Sequence, residues 1–320
     1  MVVRKKGFFR SVGFALLVIT IVLFAVFPFI QMLSTSLKYQ LDWGNPSLIP
    51  RKINLESYKE LLSIGQSVRD VPESVQRVLD NPKLTAEQRS TILKKYQQTG
   101  DIFPFLKYFR NSLVLSVVSA FLALIAAVLG AYSFSRVRYR GRSTIQRGVL
   151  FVYMFGGILI LIPLYQLAVR AGLASTQTGT FITMIVLYMV QTLPVSLYML
   201  GNYFRTIPFS IEEAAMIDGC SRFETIWRII VPLSLPALAT VFIYAFMIAW
   251  NEYLFASVFL KSYKNLYTLP IGLKSLFVSK NAIWDRIMAA SMLTAVPVVV
   301  LFMLIQKNLV GGLTAGGVKE

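Results

Sequence analysis

One polar stretch of this chain, at about 202–232, separates two long apolar runs and carries several acidic residues. Carboxylates, alanines and a glycine at close spacing suit the docking of a partner, because they combine charge with a small, flat surface. The residues that we expect to form this surface are Glu212, Glu213, Ala214, Ala215, Asp218 and Gly219. We expect the three acidic side chains among them to present charge.

Catalytic side chains are scarce elsewhere. The chain has no His and a single Cys, Cys220, so zinc sites of the usual kind, a Ser-His-Asp triad and an internal disulfide are all disfavoured. The P-loop pattern G-x-x-x-x-G-K-[ST] is also absent. We therefore expect no enzymatic activity, no catalytic residue, and no cofactor or metal bound by this chain.

The local pattern of the polar stretch predicts two short helices. Ser210 with Glu213, and Ser221 with Glu224, have the spacing of capping boxes, in which a side chain at each end binds the first free backbone N–H groups of a helix. Gly219 lies between them, where a helix end favours a left-handed residue. We expect Pro232 to end the second helix.

Long uncharged runs predict an all-α integral membrane protein. Hydrophobic residues make up 56% of the chain and the mean hydropathy is +0.62. Roughly 20 apolar residues are needed for a helix to cross a bilayer. Six segments without Asp, Glu, Lys or Arg satisfy this length: 11–33, 111–135, 148–169, 171–204, 229–251 and 287–306. The third contains a kink signal at Gly156-Gly157 and Pro163.

Positive charge indicates the orientation of the spans. The net charge of +17 would suggest nucleic acid for a soluble protein, but here it concentrates before span one and between spans two and three. The positive-inside rule places both segments, and hence both termini, in the cytoplasm. The basic residues of these two segments are Arg4, Lys5, Lys6, Arg10, Arg136, Arg138, Arg140, Arg142 and Arg147. We expect no nucleic-acid partner.

This topology divides the chain into three parts: 1–33 with the first span, an extracytoplasmic helical segment at 34–108, and a core of five spans at 109–320. In the outer segment, Asn54 is a candidate N-cap, and Thr85 with Gln88 forms a second candidate capping box. The segment is either a solvated insertion or a docking surface for an external partner.

The polar stretch would then lie on the cytoplasmic side. An alternative is an amphipathic helix resting on the membrane surface, but such helices are usually rich in Lys and Arg, whereas this one is acidic.

Polar residues within the spans are candidates for a solute pathway. Asn251 and Glu252 follow span five, and an ionisable residue at membrane depth is a functional candidate by default. The alternative is that Glu252 lies at the interface or pairs with a cation of a neighbouring subunit. Tyr188 and Gln191 could bind a sugar, although aromatic residues in spans more often serve packing.

Several of these motifs resemble one family. Glu213-Ala214-Ala215, followed at fixed spacing by Gly219, Ile229 and Val231-Pro232, resembles the EAA loop of bacterial ABC importer permeases, with Val231 in place of the usual leucine. Trp250-Asn251-Glu252 and the glycine-rich tail at 311–319 are similar to the six-helix permease of maltose-type carbohydrate importers. The resemblance covers about 108–320 and weakens at 60–104, which looks longer than usual.

The resemblance implies the type I permease fold of ABC importers, in the bacterial cytoplasmic (inner) membrane. It implies as partners a second permease, two ATPase subunits that bind ATP and Mg, an extracytoplasmic solute-binding protein, a carbohydrate and membrane lipid. The acidic docking residues would couple to the ATPase, and the tail 307–320 would contact it through Thr314, Gly316 and Gly317. The alternatives are a self-sufficient secondary transporter or channel, or an ABC permease for another solute.

Basic outer residues raise the prospect of an acidic oligosaccharide. A positive outer mouth would steer anions, although it would equally suit an acidic binding protein. The segment 34–108 is basic, and the outer loop 257–287 is basic too. This loop contains one acidic residue, Asp285, and the basic residues Lys261, Lys264, Lys274, Lys280 and Arg286.

Overall fold

The computed structural model describes residues 8–39, 42–64, 84–89, 103–278 and 283–315, which are helical or irregular and contain no strand within these ranges. The all-α prediction is confirmed. The main helices are α1 Phe8–Ser36, α2 Glu56–Leu61, α3 Phe105–Arg136, α4 Arg142–Met154, α5 Gly157–Arg170, α6 Gln177–Thr206, α7 Phe209–Ile217, α8 Arg222–Thr225, α9 Leu235–Trp250, α10 Leu254–Phe259, α11 Leu269–Val278 and α12 Trp284–Ala315.

Among the described residues, five spans are long and apolar enough to cross a membrane, with α9 and α10 counted as one span. Helices α4 and α5, which are bent by 95° at a short break that contains Gly156, make a sixth when they are counted as one broken span, in agreement with the six predicted. The predicted kink at the glycine pair is confirmed, whereas Pro163 lies within α5.

The chain divides into two compact units, which we describe separately. The first comprises 1–106 with 273–295, and the second comprises 107–272 with 296–320. The predicted three-part division at 33 and 108 stays a prediction.

In the first unit, polar side chains connect α2 to the start of α12. Ser57 and Asn54 donate hydrogen bonds to Asp285, at 2.5 and 3.3 Å, and Arg286 forms an ion pair with Glu60. Asp285 and Arg286 are buried, so the expectation that they contribute charge to an outer mouth is wrong. Their charges are used within the unit.

The helix starts of the outer segment are partly confirmed. The backbone N–H of Glu56 donates to the Asn54 side chain at 2.9 Å, but the N-cap position of α2 is Leu55, one residue after the predicted one. Thr85 and Gln88 exchange backbone-to-side-chain hydrogen bonds of 3.1 and 3.4 Å, as a capping box requires. The continuation of that helix lies outside the described residues.

In the second unit, α3, α6 and α9 pack around one apolar cluster together with the segment that follows α7. Small residues of α3 allow the close approach that helices use in lipid. At Gly130, an added methyl group would overlap the Leu197 side chain. The ends of α3 and α6 are thereby held close to the polar stretch.

Candidate coupling site

Helix α7 begins directly after a proline. Pro208 is its N-cap and makes no side-chain capping bond. Ser210 therefore lies inside the first turn, and the capping box predicted for Ser210 and Glu213 is wrong. The reason is that proline, which fixes φ and has no N–H to satisfy, makes a ready helix start two residues earlier.

The end of α7 follows the prediction. Gly219 has a φ of +88°, a left-handed value that favours glycine. The N–H of Cys220 donates to the Ala215 carbonyl at 3.0 Å, and the N–H of Gly219 donates to the Met216 carbonyl at 3.2 Å. These two bonds form a Schellman motif, which satisfies the last carbonyls of the helix and turns the chain sharply.

The second predicted capping box is confirmed at the start of α8. Ser221 and Glu224 bind each other's backbone N–H groups at 3.0 and 3.3 Å. Hydrogen bonds from the backbone and side chain of Ser221, with the nearby Arg228, hold the pKa of the Glu224 carboxyl below its usual value. The cap is therefore fully formed at neutral pH.

Pro232 does not end the helical path, contrary to the prediction. A π-helical turn at Ile226–Ile230 leads into a further turn at Val231–Leu233, and the break comes at Ser234. Pro232 occupies an early position of its turn, where the missing N–H costs little.

Glu212 is buried, with 1% of its surface exposed, so the expectation that it presents charge to a partner is wrong. Its Oε1 lies 2.8 Å from Nε of Arg136, whose side chain is 8% exposed. Its Oε2 accepts a hydrogen bond of 3.1 Å from the Tyr132 hydroxyl. The carboxylate therefore anchors α7 to the end of α3.

Arg136 also binds the end of α6. Its Nη2 donates to the backbone carbonyls of Phe204 and Ile207, at 2.5 and 2.6 Å, and its guanidinium lies 5.7 Å from the centre of the Phe209 ring. One cation thus connects α3, α6 and α7. The sequence did not predict this role for Arg136. The spacing of Glu212 and Ala215, which lie on one face of a helix, was the available signal for an inward face.

The opposite face of α7 is open. Ala215 is buried beside Glu212, whereas the other predicted docking residues are exposed: Glu213, Ala214, Asp218 and Gly219. Arginines line a cavity of about 650 Å³ next to this helix, among them Arg138, Arg142 and Arg222. The arrangement gives a short, anchored helix whose exposed face carries Glu213 and Asp218 together with apolar side chains, next to basic residues.

Comparison with known proteins decides the family. Residues 119–314 match the family described as the binding-protein-dependent transport system inner membrane component. The chain belongs to this family. It is therefore a multi-pass permease component of ABC transport systems in the inner membrane.

Relatives match this permease over its whole length. It is 42% identical over 321 residues to the inner membrane ABC transporter permease protein YcjP of Escherichia coli (strain K12), with 100% of both chains covered. It is 33% identical to the maltose/maltodextrin transport system permease protein MalG of Yersinia pestis, with 100% of this chain and 97% of MalG covered. The expectation that segment 60–104 is longer than usual stays a prediction.

The fold also matches a solved structure. A chain from a bacterial ABC transporter involved in the import of the acidic polysaccharide alginate superposes with a TM-score of 0.71. The match covers 96% of the permease and 98% of that chain, at 22% identity. This likeness confirms the permease fold.

Two of the residues predicted for the solute pathway bind each other inside the permease. The Tyr188 hydroxyl donates to Oε2 of Glu252 at 3.0 Å, and both side chains are buried. The same carboxylate accepts from the backbone N–H groups of Phe255 and Ala256, at 2.7 and 3.0 Å, and so caps α10. Glu252 thus satisfies backbone groups at the break between α9 and α10.

The other two pathway residues have a different setting. Asn251 is exposed and its amide donates to the Met247 carbonyl at 2.9 Å. Gln191 is half-buried, and its side-chain oxygen has no hydrogen-bond partner within the described part of the chain. In the predicted tail, Thr314 belongs to α12, while Gly316 and Gly317 lie outside the described residues.

We predict that neighbouring glutamates of α7 differ in their effect on stability. Glu212→Gln leaves the buried Arg136 without its counter-charge and should lower the free energy of unfolding by about 3 kcal/mol. Glu213→Gln is the matched control and should change it by less than about 0.5 kcal/mol, because its side chain is exposed. Thermal unfolding of both purified variants in detergent checks this; equal shifts would contradict the buried pair.

We further predict that Tyr188 and Glu252 stabilise the permease as a coupled pair. In a double-mutant cycle of Tyr188→Phe and Glu252→Gln, the unfolding free energies should be non-additive by about 0.5–3 kcal/mol. Glu252→Gln should also leave the half-saturating solute concentration for uptake unchanged, because its carboxylate is used by the protein. Additive energies with weakened solute affinity would instead assign Glu252 to the pathway.

Proposed function

We propose that this permease is one of two permease subunits in a binding-protein-dependent ABC importer for a carbohydrate. The observation that carries the proposal is the near-complete alignment with MalG of Yersinia pestis, named for maltose and maltodextrin transport. An extracytoplasmic solute-binding protein would deliver the sugar. The second permease would complete the pathway through the membrane.

The exposed face of α7 is the proposed contact with a partner ATPase. Glu213, Ala214, Asp218 and Gly219 are accessible there, and the helix is too short to be stable in isolation. Its anchoring through Glu212 and Arg136 would make it move together with α3 and α6. Closure of two ATPase subunits on ATP and Mg would then be passed to the spans, while this chain itself hydrolyses nothing.

The proposed orientation places both termini and α7 in the cytoplasm. The ends of α3 and α6 meet α7 at one place in the second unit, next to the basic loop that includes Arg138 and Arg140. This supports a common side for the polar stretch and the positively charged loop, as the positive-inside rule expects. The tail beyond α12, with Thr314, Gly316 and Gly317, is a further proposed contact with the ATPase.

We keep Asn251 and Gln191 as candidate pathway residues. An exposed amide and a shielded amide oxygen are both able to bind sugar hydroxyl groups. The pair Tyr188 and Glu252 would shape the surrounding wall instead.

We also propose that the carbohydrate could be an acidic oligosaccharide, because exposed basic residues lie in the outer loop. Of the basic residues in the loop 257–287, Lys261, Lys264 and Lys274 are exposed, whereas Arg286 is buried beside Glu60. Exposed lysines of the outer loop would attract an anion over a distance of about 10 Å at moderate salt.

The composition of the purified assembly tests the proposed function. The tagged permease, extracted in mild detergent, should bring with it a second permease and a P-loop ATPase, identified by mass spectrometry. The assembly in liposomes should take up a maltodextrin only with ATP and a solute-binding protein present. A chain that purifies alone and still moves solute would be a self-sufficient transporter, and uptake of non-sugar solutes alone would exclude the carbohydrate.

We predict that charge reversal on the outer face of α7 uncouples ATP hydrolysis from solute uptake. Glu213→Lys should leave the amount of permease in the membrane unchanged and reduce ATP-driven uptake by tenfold or more, because a cation replaces the acidic docking charge (about 1.4 kcal/mol for each factor of ten). Uptake and ATP hydrolysis are measured in the same proteoliposomes. Glu87→Lys, an exposed charge reversal outside the polar stretch, is the control. Wild-type uptake by the Glu213 variant would exclude this residue from coupling.

A further inference from the structure

A cavity of about 250 Å³ lies beside the coupling site, between α4 and α6. Its lining begins at the last turns of α3 with Phe134 and continues along both helices. The Gln146 side chain donates to the Phe134 carbonyl at 3.2 Å, which ties α4 to the end of α3. The cavity is therefore held in shape by contacts of the permease itself.

The mouth of this cavity is positively charged. Arg147 of α4 and Arg205 of α6 line it, and both are exposed. Ser143 and Asn202 add hydrogen-bonding groups to the lining, and none of the described residues that line the cavity is acidic. The mouth offers guanidinium groups that suit a phosphate or a carboxylate.

The depth of the cavity is apolar. Along α6 the lining changes from Arg205 and Asn202 to Leu197 and Pro194, a distance of about 16 Å along the helix axis. Along α4 the lining likewise changes from a basic residue, Arg147, to an apolar one, Leu150. At Gly201 an added methyl group would contact nothing within 4 Å, so the space between the two helices is open there.

We propose that this cavity binds an anionic phospholipid, with its phosphate between Arg147 and Arg205 and an acyl chain along Leu150 and Leu197. A basic pocket between spans, at the end of the helices, has the charge and depth that such headgroups require. An acidic peptide would use the arginines but not the apolar depth, so the graded lining favours a lipid. The proposal does not depend on which solute is carried.

Lipid retention by the purified assembly tests this proposal. The assembly is incubated with detergent micelles that contain equal amounts of palmitoyl-oleoyl phosphatidylglycerol and phosphatidylcholine, and bound lipid is counted by native mass spectrometry. Wild type should retain phosphatidylglycerol preferentially. Arg147→Gln with Arg205→Gln should lower that preference by about fivefold for each arginine removed.

Two matched variants make the result specific. Arg140→Gln with Arg170→Gln removes the same charge from exposed positions outside the cavity, and should keep the preference. Arg147→Lys with Arg205→Lys keeps the charge and should retain most of the lipid. A wild type without preference, an equal loss in the control variant, or loss of a partner subunit from the cavity variant would each overturn the lipid site.

Discussion

One buried ion pair holds the candidate coupling site together. Removing a carboxylate and a guanidinium from water costs several kcal/mol per ion unless the pair is close and its remaining hydrogen-bonding groups are occupied. Glu212 and Arg136 meet this condition through the Tyr132 hydroxyl and two carbonyls at the end of α6. Because the partners come from α3, α6 and α7, the charges are satisfied only when all three helices meet. The position of α7 is thus a requirement of the buried charge as well as of its apolar contacts.

The break between α9 and α10 uses a similar arrangement. In a bilayer, water cannot satisfy the backbone groups that a helix break exposes, so they need partners within the protein. Glu252 accepts two such N–H groups and is bound in turn by Tyr188. Glu252 therefore carries out a structural task that lipid cannot perform. Since lipid gives helices little hydrophobic reason to associate, these polar contacts add specificity to the packing.

The sequence predicted what depends on local properties of the chain. The spans follow from uncharged length, the left-handed Gly219 from its place at a helix end, and the capping box of Ser221 and Glu224 from three-residue spacing. The burial of Glu212 could not be obtained in this way, because Arg136 lies 76 positions earlier in the chain. The start of α7 was misplaced for a local reason: a serine pattern competed with Pro208, and the proline determined the start.

The two faces of α7 have different physical requirements, although their residues alternate in one short sequence. Glu212 and Ala215, three positions apart, face inward, whereas Glu213 and Ala214 between them are exposed. A helix of nine residues has little stability of its own in water. Its inner face must therefore supply the order that its outer face uses in the proposed docking. An acidic residue serves on each side for a different reason: inside, a carboxylate neutralises a buried cation, and outside, it remains available to a partner. The shared residue type conceals this difference in sequence, and only the contacts separate the anchoring glutamate from the exposed one.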